Sequence, residues 1–312
     1  MRYVNPGFIE LFDYHTSGVT TENTNLSTNY YIYKDRGNEG IYRKILDNPT
    51  QEVWFQMYIY TVNGSYSRPY FYIGYLDQSE SIDKDISRGN LPGLLFQSTS
   101  DGRIWIIRVT RGFHSEKVLY NPGVVFDCSD GKYHNIEFHM KTSEEGSGRI
   151  DLWIDHKLAL SYRSPSQFRG NLAILNINSD GAIYLSMNSI ILQDTRRIGL
   201  ERFVRLDTDK PTEQSFLAGT STDFVLSNYP EGTEYEDITG VYVAFQGTSR
   251  DSAITEGKFR LNGADIGTID VSDSSGKAWE MATAEVNSST GEKWRREDIE
   301  GKKLTFTVGG DF

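Results

Sequence analysis

Apolar and polar residues alternate along most of this chain with a period of two, the mark of half-buried β-strands rather than helices. In residues 53–61, VWFQMYIYT, Val53, Phe55, Met57 and Ile59 fall on one face and Trp54, Gln56, Tyr58 and Tyr60 on the other. In residues 133–141, YHNIEFHMK, Ile136, Phe138 and Met140 oppose Asn135, Glu137, His139 and Lys141. Ile150, Leu152 and Ile154 align in the next run, and residues 183–192 alternate until the parity slips at Asn188–Ser189, which predicts a β-bulge. Clusters of Gly, Asn, Asp and Ser separate the runs. Many short strands with turn signals between them predict an all-β fold of jelly-roll sandwich type. The one predicted helix is short, residues 293–299, closed by Gly301.

A domain boundary is expected at residues 195–200, giving one domain over 1–195 and a smaller β domain, a second sandwich, over 196–312. The second set of strands is expected at 222–226, 241–246, 258–261, 266–271, 279–286 and 303–308, with Asn262-Gly263 as a tight hairpin turn. Trp279 and Trp294 read as core residues of that domain, Trp294 docking the short helix on the sheet.

At 312 residues the length suits two domains of ordinary size. Apolar residues make up 38% and aromatics 13%, enough for real cores. Mean hydropathy is −0.49 and no apolar run approaches the ~20 residues of a membrane-spanning helix. The N-terminal stretch lacks the basic and apolar regions of a signal peptide. Net charge is −11, with 18 basic against 22 acidic residues up to residue 195 and 14 against 21 after it. No basic block exists to release counterions from phosphate, so neither nucleic acid nor an anionic membrane surface is expected as a partner. The single cysteine, Cys128, excludes an intrachain disulfide and a thiolate metal cluster. Its acidic neighbours Asp127 and Asp130 make it a poor nucleophile.

The stretch from Phe126 to Tyr162 resembles the concanavalin A-like (laminin-G-type) lectin/glucanase superfamily. Its residues Asp130-Gly131-Lys132-Tyr133-His134, an intervening strand, a Gly-containing turn, an aliphatic strand and Asp155-His156-Lys157 follow the order of that pattern. His156 stands where the family carries Gly, at a turn position expected to have positive φ, which histidine tolerates better than most residues. The resemblance covers about the first 195 residues and implies a jelly-roll fold. Residues of the second half, including Asn287, Thr290, Gly291 and Trp294, resemble the C-terminal module of tailed-bacteriophage virion proteins. That likeness implies a non-enzymatic structural protein of a tail, baseplate or capsid-surface appendage. It would be assembled in the host cytoplasm, with other virion proteins and copies of itself as partners, a trimer being favoured. The lectin-like domain would then serve subunit contacts or attachment to the host surface. The alternative is a carbohydrate-binding lectin or receptor-binding module for host glycan, with a glycan depolymerase third.

The residues carry no catalytic set. The Glu-x-Asp-x-x-Glu strand of the glucanases, which sets two carboxylates on one face, is absent. Asp151 and Asp155 share a face with Trp153 and read as solvated or turn residues. Of the histidines His15, His114, His134, His139 and His156, none forms a ligand pair, and His134 and His139 must point to opposite faces of one strand. No cofactor is expected. Calcium stays open through Asp127, Asp130 and Asp180, which sit in loops but form no dense Asp/Asn loop. What remains is aromatic: Trp54, Tyr58 and Tyr60 on one strand, Tyr70 and Tyr72 on a neighbouring run. On the outer, concave face of a sheet such rings stack on sugar C–H faces while the Tyr hydroxyls bond the rest. The favoured reading of the same five residues is that a loop, the second domain or a neighbouring subunit covers them, since aromatics are what subunit interfaces enrich. The sticky segments YIYTV and IWIIRV favour an assembled state if they lie on free edges.

Overall fold

The computed structural model describes residues 2–5, 11–15, 19–23, 30–34, 40–63, 70–77, 92–98, 104–111, 118–127, 131–143, 148–164, 168–179, 183–195, 197–199, 206, 208–210, 216, 218–229, 237–246, 253–272 and 279–309. The chain divides into two compact units, residues 1–203 and 204–312.

The first unit is a sandwich of two antiparallel sheets. One has the order β13 (Lys157–Arg163), β12 (Arg149–Ile154), β11 (His134–Lys141), β6 (Glu52–Asn63), β15 (Ile183–Gln193), β4 (Tyr30–Lys34) and β3 (Val19–Asn23). Strand β1 (Arg2–Asn5) pairs with residues 190–193 of β15. The other has the order β10 (Val118–Asp127), β9 (Ile104–Arg111), β8 (Pro92–Ser98), β7 (Tyr70–Asp77), β14 (Leu172–Ser179), β5 (Gly40–Thr50) and β2 (Tyr14–His15). Their inner faces form one core. Val53, Phe55, Met57, Ile59, Ile136, Phe138 and Met140 meet Ile73, Tyr75, Leu94, Phe96, Ile107 and Leu175 there, all buried. The Tyr75 and Phe138 rings, one from each sheet, lie 6.0 Å apart. The period-two pattern thus decides which side of every strand is dry.

Local signals are realised where backbone chemistry dictates them. The β15–β6 register shifts between Asn188 and Ile191, and Ser189 has φ 50°, which is the expected bulge. Asp155 and His156 turn the β12–β13 hairpin with φ 45° and 68°. The Asp155 carboxylate accepts from the Asn135 backbone N–H (2.9 Å) and lies 2.8 Å from His134 Nδ1, locking the turn onto β11. IWIIRV lies in β9 and is paired on both sides, so it is no free edge; YIYTV lies in β6, paired on both sides at Tyr58 and Ile59 and with β15 alone from Tyr60 to Val62.

The second unit holds a four-stranded sheet, β16 (Thr220–Val225), β23 (Lys303–Val308), β18 (Glu256–Leu261) and β19 (Ala264–Asp270), an antiparallel pair β17 (Val241–Gln246) and β20 (Trp279–Ala284), and a small pair β21 (Val286–Asn287) and β22 (Glu292–Lys293). Phe306 centres its core, stacked on Phe259 at 4.5 Å and met edge-on by Phe216 at 4.9 Å. Asn262 (φ 49°) and Gly263 (φ 86°) make the expected tight turn between β18 and β19. The expected helix over 293–299 is not formed. Glu292 and Lys293 are strand, and only Arg296–Asp298 coil, as one 3-10 turn. The reason lies in the preceding segment: Gly291 N–H bonds Asn287 C=O (2.8 Å) and Ser289 N–H bonds Asn287 Oδ1 (3.0 Å). That turn feeds a strand and leaves too little chain before Gly301 for a helix. Trp294 is buried, its Nε1–H donating to Ala284 C=O at 2.9 Å, as a core residue should. The Asn-x-x-Thr-Gly-x-x-Trp segment is therefore a turn that plants a core tryptophan. The side chain of Trp279 lies outside the described residues.

Candidate functional site

The five aromatic residues singled out by sequence do not come together. Trp54, Tyr58 and Tyr60 stand on β6, on the outer face of the first sheet, each half-buried. Tyr70 and Tyr72 belong to β7 in the other sheet. Tyr72 points away from the core like Trp54, but from the opposite side of the sandwich, and is 2% exposed in a small cluster with Ala173 and Ile174. Its phenol lies over Gly74 and Gly93, a cross-strand pair, where a Cβ on either glycine would fall 2.2 Å from Tyr72 Oη. The side chain of Tyr70 lies outside the described residues.

The face around Trp54 is built from side chains that register brings abreast. Trp54 pairs with His139 of β11, and His139 pairs with Asp151 of β12. The Trp54 indole stacks on the His139 imidazole, centroids 3.9 Å apart and planes 13° from parallel. His139 is fully buried, with Nδ1 3.0 Å from Asp151 Oδ2 and Nε2 2.9 Å from Glu52 Oε1. Each ring nitrogen therefore faces a carboxylate oxygen, one from β12 and one from β6. Around this clamp, Ser161 Oγ donates to Asp151 Oδ1 (2.6 Å), Arg149 Nε lies 3.1 Å from Asp151 Oδ2, and Lys141 Nζ donates to Glu52 Oε2 (2.9 Å).

Asp151 is thus no solvated surface residue. It is buried, and its role as one jaw of the clamp corrects the sequence expectation for it, whereas Asp155 is the turn residue expected. Burial works against ionisation of Asp151, but hydrogen bonds from His139 and Ser161 and the charge of Arg149 outweigh it and hold the carboxyl below its ordinary value. Partial burial likewise opposes ionisation of Glu52, and Lys141 and His139 overcome it, so that this carboxyl also lies low.

A second tryptophan joins the first. Trp153 of β12 lies 5.6 Å from Trp54, planes 32° apart, and the Arg197 guanidinium sits 4.5 Å above the Trp153 ring. Arg197 is held there by Glu137 of β11, fully buried, whose Oε2 accepts from Arg197 Nε at 2.7 Å. Glu137 Oε1 accepts the backbone N–H groups of Ile198 (3.0 Å) and Gly199 (3.2 Å). Residues 197–199 are therefore strapped to the outer face at Glu137, two residues along β11 from His139. Further along the same face Tyr60 meets Tyr133, centroids 5.6 Å apart. Sequence reasoning found Trp54 and placed Trp153 on a face with Asp151. It missed His139, Glu137 and Arg197 as parts of one site, because strand order is what joins them.

Among the described residues no group of three or more His, Cys, Asp or Glu side chains is placed to hold a metal ion. Asp127 is exposed, and Cys128, Asp130 and Asp180 lie outside the described residues. His134 turns to the edge of Phe126, 4.7 Å away, on the side opposite His139, as the strand period requires.

No protein-family model matches the chain, and no curated relative matches it. Solved structures similar to it include the alginate lyase Aly36B, at 12% identity and a TM-score of 0.39 over 57% of this chain and 88% of that one. The carbohydrate recognition domain of Emp47p is similar at 11% identity and a TM-score of 0.43, over 62% and 95%. The endo-β-1,4-glucuronan lyase of Trichoderma reesei is similar at 9% identity and a TM-score of 0.45, over 62% and 95%.

Proposed function

We propose that the first unit is a glycan-binding module that acts without catalysis, with Trp54 and Trp153 as its platform. The observation that supports this reading is the fixed, half-buried tryptophan pair: His139 stacks on one ring and Arg197 on the other, so both are oriented before any ligand arrives. Rings held in place pay little ordering entropy when a sugar C–H face stacks on them. Among the described residues the carboxylates nearby are engaged by histidine, arginine, lysine, serine or backbone N–H groups, an arrangement that serves positioning rather than the acid and base work of glycoside cleavage. The test is a glycan array read with the full chain and with Trp54→Ala, Trp153→Ala and the double variant. Binding by the parent that falls at least tenfold in each folded single variant is expected; a signal unchanged in the folded double variant removes this face from consideration.

The setting we propose for this module is an appendage of a virion, in contact with other virion proteins and with copies of itself. It rests on the resemblance of residues 196–312 alone. Light scattering on the purified chain tests it: a discrete trimer or larger ring supports the setting, and a stable monomer leaves the module on its own.

A further inference from the structure

We infer that the tryptophan platform selects uncharged glycans and rejects acidic ones, an inference that rests on the glycan-binding reading above. The observation is how the cations around it are spent. Arg197 Nε is 2.7 Å from Glu137, Lys141 Nζ 2.9 Å from Glu52, and Arg149 Nε 3.1 Å from Asp151. His139 bridges Asp151 and Glu52, and Arg2 Nη1 donates to the Gln193 amide oxygen at 3.1 Å, beside Trp54 across the β6–β15 pairing. Among the described residues of this face, a sugar carboxylate or sulfate would have to compete with a protein carboxylate for Arg197, Lys141 or Arg149. Two of the competing carboxylates, Glu137 and Asp151, are buried, where a charge gives up a partner least readily. The exposed Arg163 stands on the edge strand β13 opposite Arg149, three strands from Trp54 and four residues along β12 from Trp153, roughly 14 Å from either at ordinary strand spacing. The net charge of −11 adds a general repulsion of polyanions. A hydroxylated, uncharged ligand breaks no ion pair: it stacks on the indoles and exchanges hydrogen bonds at their rim.

The inference is tested by affinity gel electrophoresis of the full chain in laminarin and galactomannan, both uncharged, against alginate and polygalacturonate, at about 20 mM and about 0.5 M salt, which brackets strong and weak screening. Retardation by an uncharged polymer at both salt levels, with none by either polyuronate, is the expected result. Retardation by a polyuronate that vanishes at high salt overturns the selectivity while leaving the glycan-binding reading standing. No retardation in any polymer, together with a blank array, overturns both. A second variant reads the cause directly. Glu52→Gln removes the charge that holds Lys141 but keeps an amide oxygen for His139, and, where its retardation in laminarin or galactomannan matches the parent, it is expected to gain salt-sensitive retardation in alginate. A folded Glu52→Gln chain that gains none shows that ion pairing is not what excludes acidic sugars.

Discussion

The indole of Trp54 lies flat on the imidazole of His139, centroids 3.9 Å apart, so that a surface ring takes its orientation from a fully buried one. His139 in turn cannot swing, because each of its nitrogens meets a carboxylate oxygen within 3.0 Å, one on β12 and one at the start of β6. A binding residue on a sheet surface is usually free to change rotamer. Here the stack and the clamp hold Trp54, and the Arg197 guanidinium lies over the Trp153 ring.

His139→Ala therefore removes more than a ring. It leaves Asp151 buried with only Ser161 and Arg149 to compensate its charge and takes away the surface on which Trp54 rests. The expected cost is about 2–4 kcal/mol, the range for stranding a buried, hydrogen-bonded charge. Urea unfolding followed by circular dichroism measures it. A loss below about 0.5 kcal/mol, typical of a plain surface change, contradicts the clamp.

Much of the sandwich was legible in the sequence, since which side of a strand is dry follows from alternation alone. Val53, Phe55, Met57 and Ile59 are buried as their parity says, and the slip at Asn188–Ser189 is a bulge. The site was legible only in pieces. Alternation puts Glu137, His139 and Asp151 on an outward face and so reads them as wet. They are dry because neighbouring strands bring acids and a histidine abreast, and because residues 197–199, some 60 positions away, close over Glu137. Nor does alternation say which strands share a sheet. Tyr72 has the right parity but the wrong sheet, and its ring fills the gap over two glycines instead of facing a ligand.

Acid should loosen the clamp. Asp151 and Glu52 both titrate below their ordinary range in the folded chain. A carboxyl whose folded pKa is depressed adds stability that is fully present above its unfolded pKa, near 4, and is lost as pH falls through the folded value. The urea midpoint is expected to hold between about pH 7 and pH 5 as far as these two groups govern it, and to fall below about pH 4. Asp151→Asn should be less stable at neutral pH and show a shallower acid fall. Parallel curves for parent and variant would assign the acid sensitivity to other groups.

Glu137 is the anchor of the strap. Glu137→Ala removes the acceptor of two backbone N–H groups and the partner of Arg197, so the segment 197–199 loses its attachments to β11 together. Amide hydrogen exchange should show the N–H groups of Ile198 and Gly199 losing protection by about tenfold or more, the equivalent of roughly 1.4 kcal/mol of local stability. The core amides of β14 should keep theirs. Unchanged protection at Ile198 and Gly199 would mean that something else holds the strap.

The opposite sheet offers a test of the role given to Tyr72. Gly74 and Gly93 face each other across β7 and β8, and the phenol of Tyr72 occupies the space a side chain would need at either position. Gly93→Ala must push the ring aside within a buried cluster that includes Ala173 and Ile174, at an expected cost of about 1–3 kcal/mol, the usual range for overpacking. If the clash with Tyr72 is the cause, the same substitution made in a Tyr72→Ala background should cost much less. The coupling in this double-mutant cycle would then be about 1 kcal/mol or more, as for residues in direct contact. Additive costs would show instead that Gly93 is needed for its backbone and that the ring above it is a bystander.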